Sequence, residues 1–383
     1  MEKTGTPKAY QRALSHIPEL DGVRGIAILS VLFYHLFWFT SPGGGWAGIP
    51  HAIWKIAQVG WTGVNIFFVL SGFLITRILI NQRGENNYFK KFYFRRALRI
   101  LPLYFLTLLF IYFHYEKSSS FVVLNLFFLA HVPGLFGIVP CYPGLWSLSM
   151  EEQFYLVWPQ FVKRISIPNL KKAALLLCLI SPLLRAFTFL YPSFSIVSLI
   201  LGGFDGFAYG AIIAIFNSDK DQRDRVLKKY EFICFVISLI LLLVGVNFGI
   251  TTRQRLIGEM FLPSVIYLLT SVLMVHSIRR SGARYLKVLS RGILPHWGKL
   301  SYAAYLCHYP VPEIVNKIFS WYPEIYSYYF SFGFACLQFG LAMLGTYLIA
   351  SILHRWVETP FLNLKHREFR VSNHEAKVLF SDT

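Results

Sequence analysis

The chain has 383 residues, of which 55% are hydrophobic and 15% are charged. Soluble globular proteins carry about 25% charged residues, so the composition excludes an ordinary soluble domain. Runs of 18 or more mostly apolar residues recur along the chain, which is typical of a polytopic helical membrane protein. The formal net charge of +18 would suggest a nucleic-acid partner only if the basic residues formed one surface.

The apolar runs predict an all-α integral membrane protein, a bundle of about ten transmembrane helices. The predicted spans cover residues 22–40, 60–81, 97–114, 147–163, 172–191, 195–216, 230–248, 258–277, 298–318 and 328–353. If the N-terminus is cytoplasmic, most of the 37 Lys and Arg residues fall on the cytoplasmic side. This is the positive-inside pattern, and it predicts that both termini are cytoplasmic. It also explains the basicity without nucleic acid.

Residues 121–136 form a short apolar stretch. Pro133 and Gly134 lie near its end, and Pro140 and Pro143 follow it. We predict a re-entrant or outer-side helical segment here, with an eleventh span as the alternative. We expect one membrane domain over residues 1–363 and a short polar cytoplasmic tail over 364–383, without a cleaved signal peptide or a second extracytoplasmic domain. The five cysteines have no metal-ligand spacing, so we expect neither a metal nor a disulfide.

The first predicted span, ELDGVRGIAILSVLFYHLFWF (19–39), carries ionisable residues on an apolar helix. Arg24 and His35 are eleven residues apart, so they lie on nearly the same helix face, about 16 Å apart along the axis. Such a pair is expected to face protein or a water-filled cavity. A guanidinium suits phosphate and an imidazole suits proton transfer. Alternatively, Arg24 reaches the lipid headgroups and His35 is a core histidine bonded to a carbonyl.

A basic cluster at the start of the third span contains Arg96 and Arg99, which are neighbours on a helix. One interpretation is a positive-inside cluster at anionic headgroups, which explains loop charge in general but explains less well a pair at helix spacing before Pro102.

Two carboxylates, Glu151 and Glu152, lie in the fourth span. Ser149 and Glu152 have the spacing of a capping box, which gives Glu152 a structural role. Glu151 has no such explanation and lies among Phe154 and Tyr155. It is therefore the candidate functional carboxylate.

Two further groups of residues stand out later in the chain. Arg185 and Asp205 lie within spans, and an intramembrane ion pair is the simplest interpretation, with cavity lining as the alternative. Tyr302, Tyr305 and His308 lie on the ninth span, where Tyr305 and His308 are close enough for a local pair.

Small residues on the second span, Gly60, Gly63, Ser71 and Gly72, predict close approach between helices.

Five stretches together resemble the membrane acyltransferase-3 family, whose members O-acylate surface polysaccharides, Nod factors and macrolides. The stretches stand in the family's order: PELDGVRGIAILSVLFYH (18–35), GVNIFFVLSGFLIT (63–76), FRRALRILPLYF (94–105), LWSLSMEEQFYLVWP (145–159) and GKLSYAAYLCHYP (298–310). VETPF (357–361) adds a weaker match. The Arg-x10-His spacing of the family corresponds to Arg24 and His35.

The resemblance implies an acyl-coenzyme A-dependent O-acyltransferase of the bacterial inner membrane. It implies acetyl-coenzyme A as donor, and as acceptor a sugar hydroxyl of a surface glycan, such as lipopolysaccharide, or of its lipid-linked precursor. The site residues it implies are His35 and Glu151 for catalysis, Arg24, Arg96 and Arg99 for the phosphates of coenzyme A, and Glu151, Tyr155, Tyr302 and His308 for substrate. His35 would act as general base on the acceptor hydroxyl or would briefly carry the acyl group. Glu151 would orient the acceptor hydroxyl, or else polarise His35. Other possibilities are a small acceptor such as a macrolide, or a transporter of a small acylated or anionic substrate on the same scaffold.

Overall fold

The computed structural model describes residues 16–40, 47–116, 118–133, 137–191, 203–219, 221–248, 250, 255–321 and 332–364. Every regular element in these ranges is helical, which confirms the all-α class for this part of the chain. The α-helices are α1 (Pro18–Thr40), α2 (Gly48–Gln58), α3 (Thr62–Asn81), α4 (Tyr88–His114), α5 (Ser119–Leu126), α6 (Leu145–Arg164), α7 (Ile167–Leu190), α8 (Phe204–Ser218), α9 (Arg223–Gly245), α10 (Leu256–Arg279), α11 (Lys287–Ser290), α12 (Ile293–Cys307), α13 (Pro310–Ser320) and α14 (Phe332–Leu353).

Seven stretches of the described chain are long and apolar enough to cross a membrane, so this is a multi-pass membrane protein. They are Pro18–Trp38, Gly48–Asn81, Tyr88–His114, Ile167–Leu190, Arg223–Phe248, Leu256–Arg279 and Phe332–Leu364. The predicted count of ten is not confirmed. Helix α6 carries four charged residues, and α8 and α12 have 15 residues each in the described chain, fewer than the roughly 20 that a bilayer requires.

The structure tests neither the predicted polar tail nor the predicted cytoplasmic placement of the two termini. Residues 1–15 and 365–383, which include nearly all of the predicted tail, lie outside the described residues. The cytoplasmic placement of both termini therefore remains a prediction.

The predicted span 298–318 is interrupted, so its prediction as one continuous helix was wrong. Helix α12 ends at Cys307, a turn follows at His308 and Tyr309, and α13 begins at Pro310. Proline has no N–H to continue a preceding helix but is well suited to the first position of a new one. The turn places His308 at a helix end instead of in a helix interior.

The segment predicted to be re-entrant contains the eight-residue helix α5, which is too short to cross a bilayer. It packs against α4: the hydroxyl of Tyr104 donates to the carbonyl oxygen of Asn125 at 2.7 Å. Asn125 is completely buried. The side of the membrane on which α5 lies remains a prediction.

Glycines bring α1 and α12 into backbone contact. A Cβ atom at Gly25 would overlap the carbonyl oxygen of Leu294, and one at Gly298 would overlap that of Asp21. The predicted close approach at the second span is confirmed as well, since a Cβ at Gly72 would overlap the carbonyl oxygen of Phe207 on α8. Through Gly25 and its contact with α12, the helix that carries Arg24 and His35 is closely packed within the bundle.

The variant Gly25→Ala is expected to lower the free energy of unfolding by about 1–3 kcal/mol, because α12 must move to admit the methyl group. Thermal unfolding of the purified protein in one detergent measures the effect. Gly340→Ala is the matched control, because nothing lies within 4 Å of a Cβ there. Alanine at that helical position should be neutral or stabilising by about 0.5–1 kcal/mol. Equal thermal midpoints for the two variants would contradict the packing argument.

The predicted ion pair between Arg185 and Asp205 is confirmed. The Nη1 atom of Arg185 donates to both carboxylate oxygens of Asp205, at 3.0 and 2.9 Å. Its Nη2 atom donates to the hydroxyl of Ser264 at 2.7 Å and to the carbonyl oxygen of Met260 at 3.0 Å. The pair therefore joins α7, α8 and α10 in the buried interior, and Asp205 is completely buried.

Candidate functional site

A cavity of about 110 Å³ lies between α1, α3, α4, α6 and α12, with room for several water molecules. Six of the predicted site residues line it: Arg24, Arg96, Arg99, Glu151, Tyr155 and Tyr302. Four of the five helices thus contribute predicted site residues, although these are up to 278 positions apart in the chain.

Three guanidinium groups face this cavity. Arg24 has one carboxylate within ion-pair distance among the described residues, with its Nη1 atom 3.6 Å from Oδ1 of Asp21. Arg96 lies over the ring of Tyr155, 5.0 Å from its centroid, and 5.8 Å from that of Phe92. Neither Arg96 nor Arg99 makes a hydrogen bond or an ion pair with another described residue. A cavity with unpaired guanidinium groups is suited to bind an anion.

Glu151 is the carboxylate that lines the cavity. Its Oε1 atom accepts hydrogen bonds from the hydroxyls of Ser71 and Tyr155. The cavity lining therefore carries three positive charges and one negative charge, so it favours an anionic occupant. The alternative role of Glu151, polarising His35, does not fit these contacts, because other groups hold both ring nitrogens of His35.

The predicted capping box of Ser149 and Glu152 was wrong. Helix α6 begins at Leu145 after Gly144, so both residues lie inside the helix. The hydroxyl of Ser149 instead accepts from the backbone N–H of Ala130 at 3.2 Å. Glu152 has a buried Oε1 atom without a hydrogen-bond partner among the described residues.

Tyr302 lines the cavity with its ring, while its hydroxyl is engaged by the backbone. The hydroxyl donates to the carbonyl oxygen of Ile100 on α4 at 2.8 Å. This hydrogen bond joins α12 to α4 at Ile100, the residue that follows Arg99. Tyr302 thus helps to place the helix turn that carries the arginine pair.

His35 lies in a separate cluster with the residues of the α12–α13 turn. Its Nδ1 atom is 3.1 Å from Nε2 of His308, and its Nε2 atom is 3.1 Å from the hydroxyl of Tyr309. The Nδ1 atom of His308 is 2.7 Å from the carbonyl oxygen of Tyr305. His308 is completely buried, whereas His35 is half-buried.

Tyr305 separates the cavity from the histidines. Its side chain lines the cavity, and its ring centroid is 5.6 Å from that of His308. Its hydroxyl lies 2.5 Å from the hydroxyl of Ser147 and donates to the carbonyl oxygen of Gly144 at 2.9 Å. The structure therefore brings Arg24 and the other arginines together and places His35 and His308 just beyond the cavity lining.

Three residues at the site were not identified from the sequence as functional: Tyr305, Tyr309 and Ser71. Tyr309 directly follows His308 in the stretch CHYP, but the turn that aims it at His35 could not be inferred from a predicted continuous helix. Ser71 counted only as a small residue, although its hydroxyl contacts Glu151. Chemically, the site joins a cavity lined by three arginines to a neighbouring imidazole that has a hydroxyl at its Nε2 atom.

Comparisons with known proteins show which family this chain is similar to. The family described as "Acyltransferase domain" matches residues 17–356. The chain is 30% identical over 376 residues to the peptidoglycan O-acetyltransferase OatA of Listeria monocytogenes, covering 90% of this chain and 56% of that protein. It is 29% identical over 415 residues to YrhL of Bacillus subtilis, a proposed peptidoglycan O-acetyltransferase, covering 96% of this chain and 59% of that protein.

The chain thus spans somewhat more than half the length of these curated relatives. No solved structure matches it. Because the family match extends over nearly the whole described chain and includes every residue of the cavity and of the histidine cluster, the chain belongs to the membrane acyltransferase-3 family of integral-membrane acyltransferases.

Proposed function

We propose that this protein is an O-acetyltransferase of the bacterial plasma membrane that moves an acetyl group from acetyl-coenzyme A to a sugar hydroxyl of a surface glycan or its lipid-linked precursor. The names of the relatives favour peptidoglycan as that glycan. Family membership supports the acyl transfer, and the cavity supports the donor.

The observation that carries the proposal is the set of three arginines in one cavity. Arg96 and Arg99 have no hydrogen-bonding partner among the described residues, and Arg24 has only the 3.6 Å contact with Asp21. Guanidinium groups in a partly buried site are costly unless an anion or water pairs with them. Coenzyme A carries several phosphate groups, and the planar donor fork of arginine binds phosphate well.

The acetyl transfer itself is assigned to His35. The acceptor hydroxyl gives its proton to Nε2 of His35 while its oxygen attacks the thioester carbonyl carbon. The carbon–sulfur bond then breaks, and the sulfur of coenzyme A takes the proton from the imidazolium. To reach His35 from the arginines, the pantetheine arm of the donor has to pass Tyr305. We assign acceptor binding to Glu151, whose carboxylate would accept a hydrogen bond from the sugar, and to the neighbouring Tyr155.

Purified protein in nanodiscs with radiolabelled acetyl-coenzyme A tests the proposal. We expect label to move to a muropeptide or lipid-linked sugar acceptor. In cells, mass spectrometry should show acetylated glycan only when the gene is present, with an unchanged amount of glycan. A change in the amount of exported glycan without a change in acetylation would instead support a transporter.

The variant Arg99→Gln is expected to raise KM for acetyl-coenzyme A about 10- to 100-fold, because a charged hydrogen bond to phosphate contributes about 1.5–3 kcal/mol. The steady-state rate of thiol release measures this. With acetyl-pantetheine, which lacks the phosphates, the same variant should behave like the wild type.

Arg164→Gln is the matched control for the loss of one positive charge. Arg164 is exposed at the end of α6 and does not line the cavity. An equal rise of KM in both variants, or an equal rise with both donors, would show that Arg99 does not bind the phosphates.

A further inference from the structure

The two histidines next to the cavity form a chain of hydrogen bonds that ends on a backbone carbonyl. The Nδ1 atom of His308 lies 2.7 Å from the carbonyl oxygen of Tyr305. A carbonyl oxygen only accepts, so Nδ1 of His308 carries the hydrogen. In a neutral imidazole one ring nitrogen donates and the other accepts, so Nε2 of His308 is an acceptor.

This assignment determines the tautomer of His35. Its Nδ1 atom is 3.1 Å from Nε2 of His308, and because that nitrogen accepts, Nδ1 of His35 has to carry the hydrogen. The lone pair of neutral His35 is then on Nε2. The hydroxyl of Tyr309, 3.1 Å away, donates to this lone pair. All three hydrogen bonds thus have the same donor-to-acceptor direction, from Tyr309 to His35, from His35 to His308, and from His308 to the backbone carbonyl of Tyr305.

We infer that His308 is a positioning residue that fixes His35 in the tautomer whose Nε2 lone pair can accept a proton from an acceptor hydroxyl. This inference rests on the proposed function for its catalytic meaning. It differs from a substrate-binding role for His308, because His308 is completely buried and is not one of the residues that line the cavity.

The surroundings of His308 fit a positioning role. It follows the last residue of α12, where the turn before Pro310 directs the ring toward α1. The rings of Tyr305, Tyr309 and His35 lie around it, with centroids 5.6, 4.4 and 5.0 Å from its own. A ring packed on several sides holds one orientation, and so it holds its acceptor nitrogen in front of His35.

Tyr309 shows where the acceptor would bind. Its hydroxyl takes the position that a sugar hydroxyl needs if it is to pass a proton to Nε2 of His35. We therefore place the acceptor hydroxyl at this position, where it displaces the hydroxyl of Tyr309. The proton then moves to Nε2 while Nδ1 keeps its hydrogen bond to His308, which stabilises the imidazolium until the sulfur of the donor takes the proton.

The tautomer can be measured without any enzymatic activity. Protein labelled with ¹⁵N in the histidine rings is reconstituted in lipid and studied by solid-state NMR near neutral pH, where the two tautomers have different ring nitrogen shifts. The signals of His35 are those lost in His35→Gln. We expect the tautomer with hydrogen on Nδ1 in the wild type and also in Tyr309→Phe, because the hydroxyl of Tyr309 faces Nε2 and not Nδ1.

Two variants of His308 separate positioning from a general structural role. His308→Gln keeps an oxygen that accepts from Nδ1 of His35 and should retain the tautomer. His308→Leu removes the acceptor and should shift the hydrogen to Nε2. In acetyl transfer, kcat should fall about 100-fold in His308→Leu and less than about 10-fold in His308→Gln, with KM for acetyl-coenzyme A unchanged in both.

The outcomes are distinct. A wild-type His35 with hydrogen on Nε2, or a His308→Leu variant that keeps the wild-type tautomer and kcat, would overturn the inference. A wild type with the expected tautomer but without acetyl transfer to any sugar would leave the positioning by His308 standing and refute the proposed function.

Discussion

Replacing His35 by glutamine is expected to lower kcat for acetyl transfer by about 10²–10⁴-fold, the usual contribution of a general base. Glutamine preserves polar contacts in the space between His308 and Tyr309, but it has no nitrogen that takes up a proton. The rate of transfer of labelled acetyl groups to the acceptor measures the effect. Binding of acetyl-coenzyme A at the arginines should be unchanged, because His35 does not line the cavity.

The control for a lost histidine is His51→Gln. His51 lies on α2 and stacks on Trp54, with 6.0 Å between ring centroids, and it belongs to neither the cavity nor the histidine cluster. It should retain the wild-type rate. Turnover in His35→Gln within about threefold of this control would remove His35 from the mechanism.

The second large expected effect is a loss of stability when one partner of the buried ion pair is removed. Arg185→Met leaves the carboxylate of Asp205 completely buried without its cation. Breaking a buried pair in this way typically costs about 3–5 kcal/mol. We therefore expect a strongly lowered midpoint of thermal unfolding in detergent, together with a reduced yield of folded protein.

The double variant Arg185→Met, Asp205→Asn distinguishes the buried charge from lost packing. Asparagine keeps the side-chain oxygen that accepts from the backbone N–H of Gly206 at 3.1 Å, but it carries no charge. The double variant should recover at least half of the loss seen in the single variant. If it is no more stable than the single variant, the pair contributes by packing and not by charge.

The sequence allows much of the fold to be predicted, because apolar runs of about 20 residues specify helices in a membrane. The predictions were wrong where a local sequence pattern was outweighed by neighbouring residues that determine where a helix begins or ends. The Ser149–Glu152 spacing satisfies the capping pattern, yet α6 starts earlier, at Leu145. The span 298–318 is apolar throughout, yet Pro310 divides it into α12 and α13.

The candidate site was predictable in its residues and less so in its arrangement. The arginines were identified through motifs, and only the folded chain shows that Arg24 and Arg99, from different helices, line one cavity. The eleven-residue spacing of Arg24 and His35 predicts one helix face. It does not reveal that His35 contacts His308 and Tyr309, because those contacts depend on how α12 packs against α1.

The continuity of helix α1 has a consequence for substrate choice. Because α1 runs without interruption from Pro18 to Thr40, the separation of about 16 Å between Arg24 and His35 along the helix axis stays constant. The distance between the guanidinium end of the site and the imidazole is therefore fixed by the helix. A donor whose anionic end is held at Arg24 needs a flexible arm of matching reach, so thioesters on shorter arms should be poor donors even when they carry phosphate.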